Sequence, residues 1–272
     1  MKALMKIELE RAFKNKWFYI SASITLLIVL MDIWQNVLPF RRNIEYWLSE
    51  SNYNYQCPGL YLQWMEINLR APSMIYHFII PLLAALPYSM SIYTDVKTHY
   101  MNNIVTKIEK KKYYLSKLIT QFISGGCIAI LPLVCSFIVT AMILPAIHPV
   151  AATGQYPFSK LEVFGDLFFY NPLLFVIVLL IIDFIGFGLI NCIAYIFADL
   201  LDNKYMVALS PFIIYFLQYV VCSMIGRDSM RTYLQVVHMR VKYLGDILLD
   251  FTVLVAVIVI AYIVRCKRKD IL

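Results

Sequence analysis

Six apolar runs, each long enough to cross a bilayer, constrain this 272-residue chain more than any other feature. A helix needs about 20 mostly apolar residues to span the hydrocarbon layer. The runs fall at about 17–39, 73–94, 118–145, 172–198, 206–225 and 247–264. Lipid offers no water to satisfy backbone N–H and C=O groups, so runs of this length are expected as helices. The reading is an all-α integral membrane protein with six transmembrane helices in a single domain over residues 1–272. Composition agrees, with 61% hydrophobic and 15% charged residues. A soluble domain carries about 45–50% and about 25%, and one core of this size cannot hide the excess. A soluble enzyme and a disordered chain are both excluded by that balance.

The first run exceeds the about 7–15 apolar residues of a signal peptide, and its flank MKALMKIELERAFKNK mixes acidic with basic residues, so it is expected to stay in the mature protein. Basic residues set the orientation. Segments 1–16, 95–117, 199–205 and 265–272 hold 16 Lys and Arg in 54 positions, against 8 in 78 for segments 40–72, 148–171 and 226–246. Both termini are therefore expected in the cytoplasm of a multi-pass cell-membrane protein. Arg227, Arg231, Arg240 and Lys242 run against the rule locally. The net charge of +7 reads as span flanks facing anionic lipid, with no nucleic-acid partner. The cysteines, at 57, 127, 135, 192, 222 and 266, lie mostly in or beside apolar runs and form no secreted-type disulfide framework.

Two cytoplasmic pieces stand out. Residues 1–16 read as an amphipathic interfacial helix, with Met5, Leu9, Phe13 and Trp17 as its apolar stripe. Between the second and third runs, Met101, Ile104, Val105 and Ile108 recur at helical spacing among Lys107, Glu109 and Lys110, Lys111 and Lys112. Thr98 is placed to cap the start of that helix. Such an amphipathic strip lies on lipid or inserts into a groove on a cytoplasmic protein.

The basic amphipathic start, the six runs and the pattern Tyr93-x-Asp95 … Lys107 … Lys112-x-Tyr114 … Lys117 resemble the permease subunits of type-2 ABC exporters. The short-loop bacterial members tied to peptide or antibiotic export and self-immunity are the most similar. The resemblance spans the whole chain in layout, but in wording only residues 1–20 and 91–120. It implies alternating-access export by two permease chains, identical or not, above a separate ATPase dimer that binds ATP and magnesium. It implies no catalytic residue, cofactor or metal in this chain. The helix at 99–109 would be the coupling helix, with Met101, Ile104, Val105 and Ile108 docking and Lys107, Lys110 and Lys111 orienting it. It also implies short helices between the fifth and sixth spans, where Leu234, Val237 and Val241 share one side. The 33-residue outer loop 40–72 is longer than in the polysaccharide-exporting branch.

No G-x-x-x-x-G-K-S/T phosphate loop occurs, so any ATPase is another chain. No H-E-x-x-H or G-x-S-x-G motif marks a protease or esterase. Asp183 sits in the middle of the fourth run, where an ionised carboxylate costs roughly 2.5–3.5 kcal/mol. It is expected to face the bundle or an aqueous cavity, or to be protonated. It is either a pathway or ion-coupling residue or a polar link to Asn191, Tyr195 or a neighbouring helix. Asp32 and Asp250 are expected to reach water near the surface. Ser124, Gly125, Gly126, Gly186 and Gly188 permit close helix approach, and Pro132 and Pro211 are positioned to kink their spans. The rival functions are an ion-coupled transporter or channel built on Asp183, and a non-transporting immunity or assembly protein.

Overall fold

The computed structural model of the chain describes residues 2–51, 55–157, 159–225 and 244–267. Among these the architecture is helical throughout: α1 (Lys2–Phe13), α2 (Lys16–Asp32), α3 (Leu38–Arg42), α4 (Ile44–Ser49), α5 (Leu60–Gln63), α6 (Ala71–Ala85), α7 (Ser91–Lys97), α8 (Tyr100–Val105), α9 (Lys110–Ile143), α10 (Gly165–Tyr170), α11 (Pro172–Phe197), α12 (Lys204–Ile225) and α13 (Leu244–Lys267). Five helical stretches are long and apolar enough to cross a membrane: 16–42, 110–143, 172–197, 204–225 and 244–267. The chain is an all-α, membrane-embedded protein. The predicted helices around Leu234, Val237 and Val241 lie outside the described residues.

The first crossing is one continuous rod from α2 to α3 through a π-helical turn at Ile33–Val37. Asn15 caps its start, accepting from the Trp17 N–H at 3.2 Å. The same amide donates to the Pro87 carbonyl at 2.8 Å, which fixes the angle between α1 and α2.

The second predicted span, 73–94, is not a single helix. It is α6, a turn over 86–90, and α7. Pro87 supplies no backbone N–H to continue the ladder of α6, although Leu86 before it still has helical angles. The turn points Tyr88 and Ser89 at other helices. α9, in contrast, starts eight residues before the predicted third span. At 1.5 Å per residue it is about 51 Å long, well beyond the about 30 Å hydrocarbon layer. Pro132 and Pro211 are absorbed within continuous helices.

α9 and α11 form the central pair, and the glycines explain their contact. A Cβ on Gly125 would meet Asn191 at 2.6 Å. One on Gly126 would meet the Phe184 ring, also at 2.6 Å, and one on Gly188 the Phe122 ring at 2.7 Å. Those rings pack edge to face, 5.5 Å apart. Small residues thus let the two backbones close up, as their sequence positions predicted.

Within 40–72, expected as an outer loop, the stretch 57–68 packs into the bundle, while residues 41–51 are mostly exposed. Trp64, Met65 and Ile67 are fully buried, and the Trp64 indole donates to the Leu133 carbonyl of α9 at 3.0 Å. Leu133 lies ten residues from the end of α9, about 15 Å along the helix. The backbone between the short helix α5 and α6 is enclosed by protein there. Trp64 and Tyr61 pack against Phe137, and Tyr61 also against Phe168.

Candidate functional site

Two polar assemblies stand out, one at the α1 end of the bundle and one inside it. The first joins α1, α7 and α9. On α1 the stripe buried in the bundle is Leu4, Glu8 and Ala12, next to Met5, Leu9 and Phe13, the apolar stripe expected at the headgroup boundary. Those three remain half-buried along an open groove flanked by Lys2, Lys6 and Lys14. Glu8 is fully enclosed and meets Lys117 of α9 at 2.9 Å, while Lys117 also meets Asp95 of α7 at 2.6 Å. Arg11 pairs with Asp95 at 2.7 Å and with Glu8 at 3.2 Å. Tyr88 donates to Glu8, and Tyr113 donates to Asp95 at 2.8 Å. Two carboxylates and two cations from three helices therefore cancel. Burial raises the Asp95 carboxyl, but the Arg11 hydrogen bonds and the Lys117 charge outweigh it and hold the group below its ordinary value.

This knot sets the geometry of the loop that follows. Asp95 is two residues from the end of α7, and Lys117 is two turns into α9, so α8 is suspended between clamped ends. His99, at φ 56°, reverses the chain between α7 and α8. Thr98 does not cap α8, because its hydroxyl donates back to the Thr94 carbonyl at 2.8 Å. The helix is shorter than the 99–109 read from the sequence, since a turn over 106–108 ends it. Met101 and Ile104 pack against a small core with Tyr113, Tyr114 and Tyr195. Val105, Ile108 and Lys110 are half-exposed, and Lys107 and Lys111 exposed. The predicted docking residues thus divide between an inward face and an outward one.

The second assembly lies within the bundle. His77 of α6 places Nε2 2.9 Å from Glu66 Oε2 and Nδ1 2.8 Å from the Ser73 carbonyl oxygen. Asp183 is buried and its Oδ2 has no partner. Tyr76 of α6 donates to the Ala129 carbonyl of α9, and the hydroxyl of Tyr215 on α12 is buried without a partner. Asn191 is not the partner of Asp183, contrary to one expectation. The Asn191 side chain accepts from Ser89 and donates to the Gln121 carbonyl, each at 2.8 Å, while Gln121 donates to the Asn191 carbonyl at 2.7 Å. Asn191 thus ties α11 to α9 and to the 86–90 turn. Tyr195 lies under Arg265, with 4.1 Å from guanidinium to ring centroid, and Arg265 also pairs with Asp199 at 2.9 Å.

Asp32 is fully buried at the π turn, where Asn36 and Asn68 donate to it. This corrects its expected access to water. Asn68 thus ties the buried 60–68 stretch to the end of α2. At that end a pocket of about 390 Å³ is lined by Phe40, Trp47, Tyr55, Leu62, Gln63 and Arg70. No group of three or more metal-ligating side chains occurs among the described residues.

Sequence reasoning missed Glu8, Arg11, Lys117, Glu66 and His77 as site residues. Glu8 left a signal, since it occupies an i+4 position between Leu4 and Ala12 on an otherwise apolar stripe. Glu66 left none, because nothing local shows that the 57–68 stretch packs into the bundle. The chain matches no protein-family model, no curated protein and no solved structure.

Proposed function

We propose that this chain is the membrane-spanning permease subunit of an ATP-driven exporter of the type-2 ABC kind, with ATP hydrolysed by a separate cytoplasmic subunit. The observation that carries the reading is α8, a short helix held outside the bundle between α7 and α9. Its two flanks are locked to α1 by the Glu8–Arg11–Asp95–Lys117 knot. A push on such a loop reaches three helices at once, because the buried ion pairs give it no soft joint. In this reading residues 73–94 make the remaining span, with Asp95 just past its cytoplasmic end, and both termini are cytoplasmic. Two permease chains share an ATPase dimer, and the cargo is a peptide, antibiotic or other amphipathic compound. Nucleotide-dependent contact with the loop biases the inward and outward states. Val105 and Ile108 are the apolar contacts left facing outward, with Lys107 and Lys111 beside them.

The test is co-purification from native membranes in mild detergent. The wild-type chain is expected to retain a nucleotide-hydrolysing subunit, and the double variant Val105→Asp, Ile108→Asp to lose it while still inserting into the membrane. A wild-type chain that retains no such subunit would exclude the reading, and so would a double variant that binds it normally.

A further inference from the structure

The pocket beside Asn68 lies at the end of the bundle away from α1. Phe40 is 24 residues beyond Lys16 on the first rod, about 35 Å at helical rise. Three half-buried rings make one wall. Phe40 and Trp47 have centroids 5.6 Å apart, and Trp47 stacks on Tyr55 at 5.7 Å. The exposed Arg70 continues that row, its guanidinium 5.3 Å from the Phe40 centroid. The backbone beneath is fixed. Arg70 N–H donates to Asn68 Oδ1 at 3.2 Å, while the Asn68 amide donates to the Gln63 carbonyl at 3.1 Å and to Asp32 at 3.3 Å. Gln155, on the facing loop, accepts from the Gln56 N–H at 2.9 Å, which ties that loop to the wall.

The cavity of about 390 Å³ falls within the about 300–1,000 Å³ of small-molecule sites. At about 30 Å³ per water it equals about 13 waters, room for one amino-acid-sized molecule. Among the described residues that line it, Arg70 is the charged one. A guanidinium carries five N–H donors in a fork that fits the two oxygens of a carboxylate. One carboxylate balances one Arg, whereas a phosphate monoester brings about 1.5–2 charges. A free ammonium would face Arg70 and meet no acidic side chain among those lining residues. The row of rings takes an apolar body.

We propose that this pocket binds an N-acylated amino acid with an apolar side chain, its carboxylate on Arg70 and its side chain against Phe40, Trp47 and Tyr55. The C-terminal residue of a peptide has the same chemistry. The site does not rest on an ATPase engaging the α8 loop, which lies at the other end of the bundle.

Titration calorimetry on the full chain in lipid nanodiscs tests this, with empty nanodiscs as the blank for partitioning into lipid. The probes are N-acetyl-L-phenylalanine, its neutral amide, and an N-acetylated tripeptide ending in phenylalanine, each up to millimolar concentration. Wild-type protein is expected to bind the acid saturably and the amide about tenfold more weakly, for want of the charged pair. Arg70→Gln should bind the acid about tenfold more weakly than wild type, with an unchanged thermal midpoint because that side chain is exposed. In Trp47→Leu the acid and the amide should weaken together, since the wall is lost and the charge kept. Tighter binding of the tripeptide than of the single residue supports a peptide end as the ligand, and the reverse supports a free N-acyl amino acid. Heats equal to the blank with the acid and the tripeptide overturn the proposal. So does equal binding of acid and amide, or unchanged binding of the acid by Arg70→Gln or Trp47→Leu.

Discussion

Lys117 shows how much one side chain settles. It is fully buried, yet it meets Glu8, Asp95 and the Ser91 hydroxyl and sits over the rings of Tyr88 and Tyr113. Removing one partner of a buried ion pair costs about 3–5 kcal/mol, because the remaining charges stay desolvated and unpaired. Lys117→Met is therefore expected to lower the thermal midpoint in detergent and to release α1, read as faster proteolysis near the N-terminus. Unchanged proteolysis would mean that α1 is held by apolar packing alone. The knot also has a pH sign. Asp95 is held below its ordinary value, so its contribution is present above the carboxylate range. That contribution is lost as pH falls through the lowered value. The α1 contact should survive mild acid and open only in strong acid, as hydrogen exchange on α1 amides would show. Gly125 is the second residue-scale case. Gly125→Val would push into Asn191 and the central helix pair, with an expected loss of about 1–3 kcal/mol. A melt equal to wild type would show that α9 and α11 can part without penalty.

At the scale of elements, periodicity foretold the long helices and failed at the breaks. The spans predicted at 172–198 and 206–225 became α11 and α12 with ends shifted by one or two residues, because uninterrupted apolar runs leave one solution in lipid. The run at 73–94 looked the same in hydropathy, yet it breaks over 86–90. Pro87 allowed the break, and Asn15, Glu8, Gln121 and Asn191 use the turn, its residues Tyr88 and Ser89 included, as a hub. None of those partners is near in sequence. The buried 57–68 stretch is the larger departure. Its Trp64 is the anchor, and Trp64→Ala is expected to cost about 3–5 kcal/mol through the cavity it leaves, with the Leu133 carbonyl losing its donor. Trp64→Phe should recover part of that loss, the packing but not the hydrogen bond. If both variants melt like wild type, the segment is not a structural part of the bundle.

For the whole molecule, the two polar assemblies divide the labour. The knot of α1, α7 and α9 is charge-balanced within itself and links the α8 loop to the spans. The inner cluster joins α6 to the buried 60–68 stretch through the contact between His77 and Glu66.

The sequence alone was enough to determine the solvent: a chain this apolar, cut into runs of spanning length, has to live in lipid as helices. It also marked Asp183 as a charge needing an explanation and the glycines of α9 and α11 as a point of close approach. Why α1 is anchored by Glu8, and that residues 57–68 pack into the bundle, were decided by tertiary structure. The reason is physical. Helix formation in lipid depends on neighbours three or four residues away, whereas the pairing of a buried charge depends on residues as distant as Glu8 and Lys117, which only the packed bundle brings together.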